Sequence, residues 1–192
     1  MDVLSSLLPS LRHLRVTNNL LGSWAQVHNI VRALQALDTL DVSGNYLQQA
    51  ENISDLQACT QLRTLVSSRC HITWQDASHI ARVFPCLREL YASGNDISSI
   101  QPPVLPEDPL CQLQVLDIMD NKLHSWEDVM SLSVMTQLSV LKLSGNDVAS
   151  ITPAGECPVF TRSSFEQSCF LEVTLEALFA WRTELHNINS SD

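Results

Sequence analysis

Residues 113–123 read "LQVLDIMDNKL". Leucine stands at the first, fourth and last places, isoleucine at the sixth and asparagine at the ninth. In an extended chain Leu116, Asp117 and Ile118 point to alternate faces, so the two apolar side chains share one side. Asn121 follows where the strand must turn, and its amide can bond backbone groups left unpaired there. The same spacing returns in Leu11-Leu14-Val16-Asn19-Leu21, Leu37-Leu40-Val42-Asn45-Leu47, Leu62-Leu65-Ser67-Cys70-Ile72, Leu87-Leu90-Ala92-Asn95-Ile97 and Leu138-Leu141-Leu143-Asn146-Val148. The starts at Leu11, Leu37, Leu62, Leu87, Leu113 and Leu138 lie 25 or 26 residues apart.

This period and pattern are those of leucine-rich repeats. The expected fold is α/β: a horseshoe solenoid of about seven repeats, with parallel strands on the concave face and helices or extended segments on the convex face. A seventh, degenerate copy near 168 has Leu171, Val173 and Leu178 in apolar slots but Glu176 in the asparagine slot. Before it, Pro153, Gly155 and Pro158 mark a longer loop. Residues 1–192 are read as one leucine-rich-repeat domain. Leu4, Leu7 and Leu8 precede Pro9 at helical spacing, as the tail of an earlier repeat would, so a larger parent protein is expected.

Between the strands, Ser23-Trp24, Thr73-Trp74 and Ser125-Trp126 read as capped helix starts. Ser23 with Gln26 fits a capping box, and Asp76 and Asp128 stand in the same relation to Thr73 and Ser125. Val27, Ile30, Val31 and Leu34 continue the first at helical spacing. Pro102, Pro103, Pro106 and Pro109 predict that the fourth convex segment is extended instead.

The chain carries 21 acidic and 11 basic residues, a formal charge of −10. A nucleic-acid partner requires the opposite balance. No apolar run approaches the roughly 18 residues a membrane helix needs, and residues 1–9 have neither the basic start nor the apolar length of a signal peptide. The six cysteines (59, 70, 86, 111, 157 and 169) show no C-x-x-C pair, which predicts free thiols in a cytosolic protein. On the same ground the N-x-[ST] matches at Asn52 and Asn189 are read as chance.

No metalloprotease, nucleotide-binding or nucleophile-elbow motif occurs. The histidines (13, 28, 71, 79, 124 and 186) sit at unrelated repeat positions, so each is read as solvated or core rather than as a metal ligand. Cys70 and His71 are adjacent but would point to opposite faces, which argues against a nucleophile and base. The tryptophans 24, 74, 126 and 181 are read as packing at helix starts. The expectation is a monomeric, non-enzymatic protein-binding module with no cofactor and no metal.

The binding surface follows from the pattern. Strand side chains that face away from the core line the hollow, and from them the candidate contacts are His13, Arg15, Thr17, Asp41, Arg63, Arg88, Glu89, Tyr91, Asp117, Met119 and Lys142. Concave and flanking slots hold six of the 11 basic residues and five of the 21 acidic ones. This face is therefore near neutral on an acidic body and tolerates an acidic partner. Tyr91 and Met119 supply the apolar area that interfaces favour.

Three Trp-marked stretches carry a closer likeness: "NLLGSWAQVHNIVRALQALDTLDVSGNYL" (19–47), "ITWQDASHIARVFPCLRELYASGNDI" (72–97) and "LQVLDIMDNKLHSWEDV" (113–129). With "FLEVTLEALFAWRTEL" (170–185) after a long loop, their order resembles the repeats of the tubulin-folding cofactor E family and its cofactor-E-like relatives. The resemblance implies a module placed between a CAP-Gly and a ubiquitin-like domain. It also implies a role with α-tubulin in heterodimer assembly and disassembly, in the cytoplasm and at the cytoskeleton. A generic intracellular leucine-rich-repeat adaptor with a non-tubulin partner is the alternative.

Overall fold

The structure is a computed structural model that describes residues 6–148, except 48, 49, 54, 55, 102 and 104–106, together with residues 172–173. Strands β1 (His13–Arg15), β2 (Thr39–Asp41), β3 (Thr64–Val66), β4 (Glu89–Tyr91), β5 (Val115–Asp117) and β6 (Val140–Lys142) pair in sequence order, all parallel. The register repeats without a slip. Leu14, Leu40, Leu65, Leu90, Leu116 and Leu141 are direct partners across the sheet. Each strand is three residues long and is centred on the inward-facing leucine, and the apolar residue two places on (Val42, Ala92, Ile118 or Leu143) is buried before the chain turns.

That leucine and the first and last leucines or isoleucines of each copy form one continuous core. From Leu37 onward these side chains are almost fully buried, while Leu11, Leu14 and Leu21 at the outer end are half-buried. Burying a leucine stabilises by roughly 1.5–3 kcal/mol, and here most of that burial is against the next repeat.

The asparagines lock neighbouring turns together. Asn45 Oδ1 accepts from the backbone N–H of Asn19 (3.0 Å) and Leu21 (3.2 Å), while its Nδ2 donates to the carbonyls of Val16 (2.9 Å) and Val42 (2.7 Å). Asn95 does the same for Cys70, Ile72, Ser67 and Ala92. Asn121 and Asn146 repeat the arrangement with fewer bonds. At the odd slot Cys70 is fully buried and its thiol donates to Val42 O at 3.3 Å, in place of an amide.

The convex segments follow the capping residues. Helices α1 (Trp24–Ala33), α2 (Trp74–Val83) and α3 (Trp126–Ser131) start after Ser23, Thr73 and Ser125, whose hydroxyls accept from the backbone N–H three residues on. The reciprocal capping box is complete at Thr73 and Asp76. At Ser23 the expected box is displaced by one residue: Gln26 Oε1 accepts from Gly22 N–H, 2.9 Å away. Trp24 and Trp74 are buried as expected, and Trp74 Nε1 donates to Gln101 O at 2.6 Å. The side chain of Trp126, and Trp181, lie outside the described residues. The proline-rich segment ends in one 3₁₀ turn, Pro109–Gln112, capped by Asp108, so it is not extended throughout.

The seventh copy departs from the parallel expectation. Strand β7 (Glu172–Val173) pairs antiparallel with β6. Glu176, in the asparagine slot of this copy, lies outside the described residues. Leu171, Leu178, the loop around Pro153–Pro158 and the first residues of the expected leading helix lie outside the described residues.

Candidate functional site

The concave sheet presents the side chains on either side of each central leucine, and β2, β3, β4 and β6 share the same half-buried, buried, half-buried pattern. Because the register is unbroken, like slots form columns that run from repeat to repeat.

The columns bring part of the predicted set together. Glu89 Oε2 accepts from Thr64 Oγ1 (3.3 Å) and Tyr91 Oη (3.2 Å). Asp117 Oδ1 accepts from Ser93 Oγ (2.6 Å) and from the backbone N–H of Met119 (3.2 Å). Its other oxygen faces Lys142 Nζ at 4.0 Å, and that ammonium lies 5.7 Å from the centre of the Tyr91 ring. Glu89, Tyr91, Asp117, Met119 and Lys142 are thus one connected patch over β4 to β6, completed by Thr64 and Ser93. Burial first, then the charge and hydrogen bond of Glu89 and the charge of Asp117, raise the Tyr91 hydroxyl above its ordinary value of 10.0.

A second group lies at the other end. Arg15 Nε pairs with Asp41 Oδ2 at 3.1 Å, and Asp41 Oδ1 accepts from Ser43 N–H. His13 beside it is exposed and Thr17 is half-buried. Arg63 and Arg88 stand at the leading edge of the sheet. Their guanidinium groups donate to the next repeat, Arg63 to Cys86 O (3.1 Å) and Arg88 to Gln112 O and Oε1 (both 3.0 Å). Neither pairs with a carboxylate among the described residues. Lys142, by contrast, is held by Asp117 and the Tyr91 ring, so its charge is compensated within the sheet.

Thr64 and Ser93 complete the network but are not among the predicted contacts. Their slots were legible as concave; their bonds depend on register between repeats, which a single copy does not reveal.

The residues that invite a chemical reading fit structural roles. Burial pushes the Cys59, Cys70 and Cys111 thiols up, the opposite of an activated nucleophile. His71 is exposed and turned to Asp96 Oδ2 at 3.1 Å, away from buried Cys70. His28 is a core residue whose Nε2 bonds Gln57 O at 2.8 Å. Cys59, Cys70 and Cys86 are free thiols. No helix among the described residues is long and apolar enough to cross a membrane.

The tandem copies, the in-register parallel strands and the asparagine ties define a leucine-rich-repeat protein, and the family model described as Leucine Rich Repeat matches residues 86–107. Relatives give a closer placement. The chain is 32% identical over 149 residues to tubulin-folding cofactor E of Arabidopsis thaliana, covering 77% of this chain and 28% of that one. It is 32% identical over 144 residues to tubulin-specific chaperone E of Mus musculus, covering 74% and 27%. The match to tubulin-specific chaperone E of Danio rerio is 32% over 153 residues, covering 77% and 29%. This is a cofactor-E-like leucine-rich-repeat region, and the chain spans less than a third of the length of these relatives.

Proposed function

We propose that this chain is a non-enzymatic, cytoplasmic binding module that engages α-tubulin through its concave face, as the repeat part of a longer folding cofactor that acts on the tubulin heterodimer. The observation that carries this reading is the likeness to relatives named for tubulin folding, at 30–32% identity over about three quarters of the chain. The concave patch supports it physically. Tyr91 is a half-buried aromatic held by Glu89 and Lys142, and such pre-positioned rings act as anchors at interface centres. Arg63 and Arg88, fixed by backbone carbonyls, offer positive charge to an acidic partner. The module acts as a monomer and needs no cofactor.

The test is binding of purified tubulin heterodimer to the immobilised chain. Tyr91→Ala is expected to weaken binding by roughly 1–3 kcal/mol, the range for an aromatic anchor. Gln75→Ala, exposed at the start of α2, is expected to change it by no more than about 0.5 kcal/mol. Both variants must melt as the parent does. Cross-linking then reads which subunit is held. Tubulin that is not retained, or is held through β-tubulin alone, overturns the reading and leaves the adaptor with another partner.

A further inference from the structure

The slot between the asparagine and the last apolar residue of each copy has no packing duty, because both its neighbours turn inward. In the fourth to sixth copies it holds Asp96, Lys122 and Asp147, as a solvent-facing slot should. In the first three it holds Leu20, Tyr46 and His71. Leu20 is 99% exposed and Tyr46 74%, while the His71 side chain is 61% exposed. The Tyr46 and His71 rings lie 5.0 Å apart and tilted at 55°, so the second and third repeats are joined along this edge. A single exposed leucine is ordinary. An apolar side chain and two rings in register on consecutive repeats form a patch that folding does not require, and such patches mark contacts.

The charges beside the ridge set the kind of contact. Asp96 closes its far end and is engaged twice, by Lys122 Nζ and by His71 Nδ1. Arg69 flanks the ridge two residues before His71. It is exposed, its stem lies over Gly94, and it pairs with no carboxylate among the described residues. The ridge is thus apolar with an uncompensated cation alongside.

We infer that the partner in the concave hollow also closes over the trailing edge of the first three repeats, setting an apolar side chain against Leu20 and Tyr46 and a carboxylate against Arg69. This rests on the reading of the chain as a tubulin-binding module. Three side chains are too few for a stable interface alone, which buries about 800 Å² per partner, so the ridge is an outlying anchor of the concave contact.

The experiment measures tubulin affinity of the full chain at low and high salt for Leu20→Ser/Tyr46→Ser, Arg69→Gln and Tyr91→Ala. The double variant alters only exposed side chains and is expected to melt like the parent while losing affinity about tenfold or more. Arg69→Gln is expected to weaken binding at low salt and flatten its salt dependence. If Tyr91→Ala weakens binding and the double variant does not, the ridge proposal fails and the concave reading stands. If neither weakens it, both fail. An unchanged salt dependence in Arg69→Gln overturns the carboxylate assignment. If the parent sediments as a dimer that the double variant converts to monomer, the ridge binds a second copy and the proposal is overturned.

Discussion

The side chain of Asn18 lies across Gly44: its Oδ1 stands 2.2 Å from where a β-carbon on Gly44 would be. The pair belongs to a column formed by the residue before each asparagine or cysteine slot. All six members have positive φ: Asn18 (53°), Gly44 (69°), Arg69 (55°), Gly94 (67°), Asp120 (52°) and Gly145 (77°). Side chain and glycine alternate along it. Asn18 covers Gly44, Arg69 covers Gly94, and Asp120 Oδ1 stands 2.0 Å from a β-carbon on Gly145. The turn requires left-handed backbone in every copy, and each glycine also makes room for the side chain of the repeat before it.

Gly44→Ala should therefore lose stability twice over. The left-handed backbone costs a β-carbon about 1–2 kcal/mol, and displacing Asn18 adds to that. Gly94→Ala meets only the flexible stem of Arg69, at 3.1 Å, so it should cost less than Gly44→Ala or Gly145→Ala. Urea melts give the ranking. In a double-mutant cycle, Asn18→Gly should recover the steric part of the Gly44→Ala loss but not the backbone part. Equal losses at all three glycines would show that side-chain cover plays no role.

Ser67 occupies the apolar slot held elsewhere by Val42, Ala92, Ile118 and Leu143. It is fully buried, and its hydroxyl has no hydrogen-bond partner. A buried unpaired hydroxyl costs about 1–3 kcal/mol. Ser67→Ala is expected to raise the denaturation midpoint, by the equivalent of about 1 kcal/mol, with no change in slope. A lowered midpoint would mean that the hydroxyl is satisfied in solution.

Leu116 and Gln114 separate the two faces of one repeat. Leu116 is fully buried on the central leucine line, and Gln114 is exposed just before the strand. Leu116→Ala should cost roughly 2–5 kcal/mol and Gln114→Ala roughly 0.5 kcal/mol or less. Similar losses from both would contradict the register of the sheet.

Much of this architecture is legible in the sequence because repeats amplify weak signals. One Leu-x-x-Leu-x-Leu run is compatible with several folds; six at a fixed period are not. Capping also reads locally, since Thr73 and Asp76 need only each other. What escaped is relational. The Ser23 box shifts because Gln26 reaches Gly22, and Thr64 joins the concave network only because β3 lies beside β4 in register. The alternation of side chain and glycine is invisible within any single copy. The reversed direction of β7 escaped as well, since the repeat pattern predicts one more parallel strand.

Acid should loosen the trailing edge of the third to fifth repeats before the core. The hydrogen bond from Lys122, then that from His71, hold the Asp96 carboxyl below its ordinary value of 3.8, against a smaller opposing effect of burial. A carboxylate that is more acidic in the folded state binds fewer protons there than in the unfolded chain. Its stabilising contribution is therefore complete above the unfolded value and is lost as pH falls through the folded one. The group is partly exposed, so salt should shrink the effect. Carboxyl titration followed by NMR should place Asp96 below 3.8, and Lys122→Gln should bring it back toward that value. Asp96→Asn should flatten the fall in stability below about pH 4 without altering the melt at neutral pH by more than about 0.5 kcal/mol. A normal Asp96 titration that Lys122→Gln leaves unmoved would show that the three side chains do not stay engaged in solution.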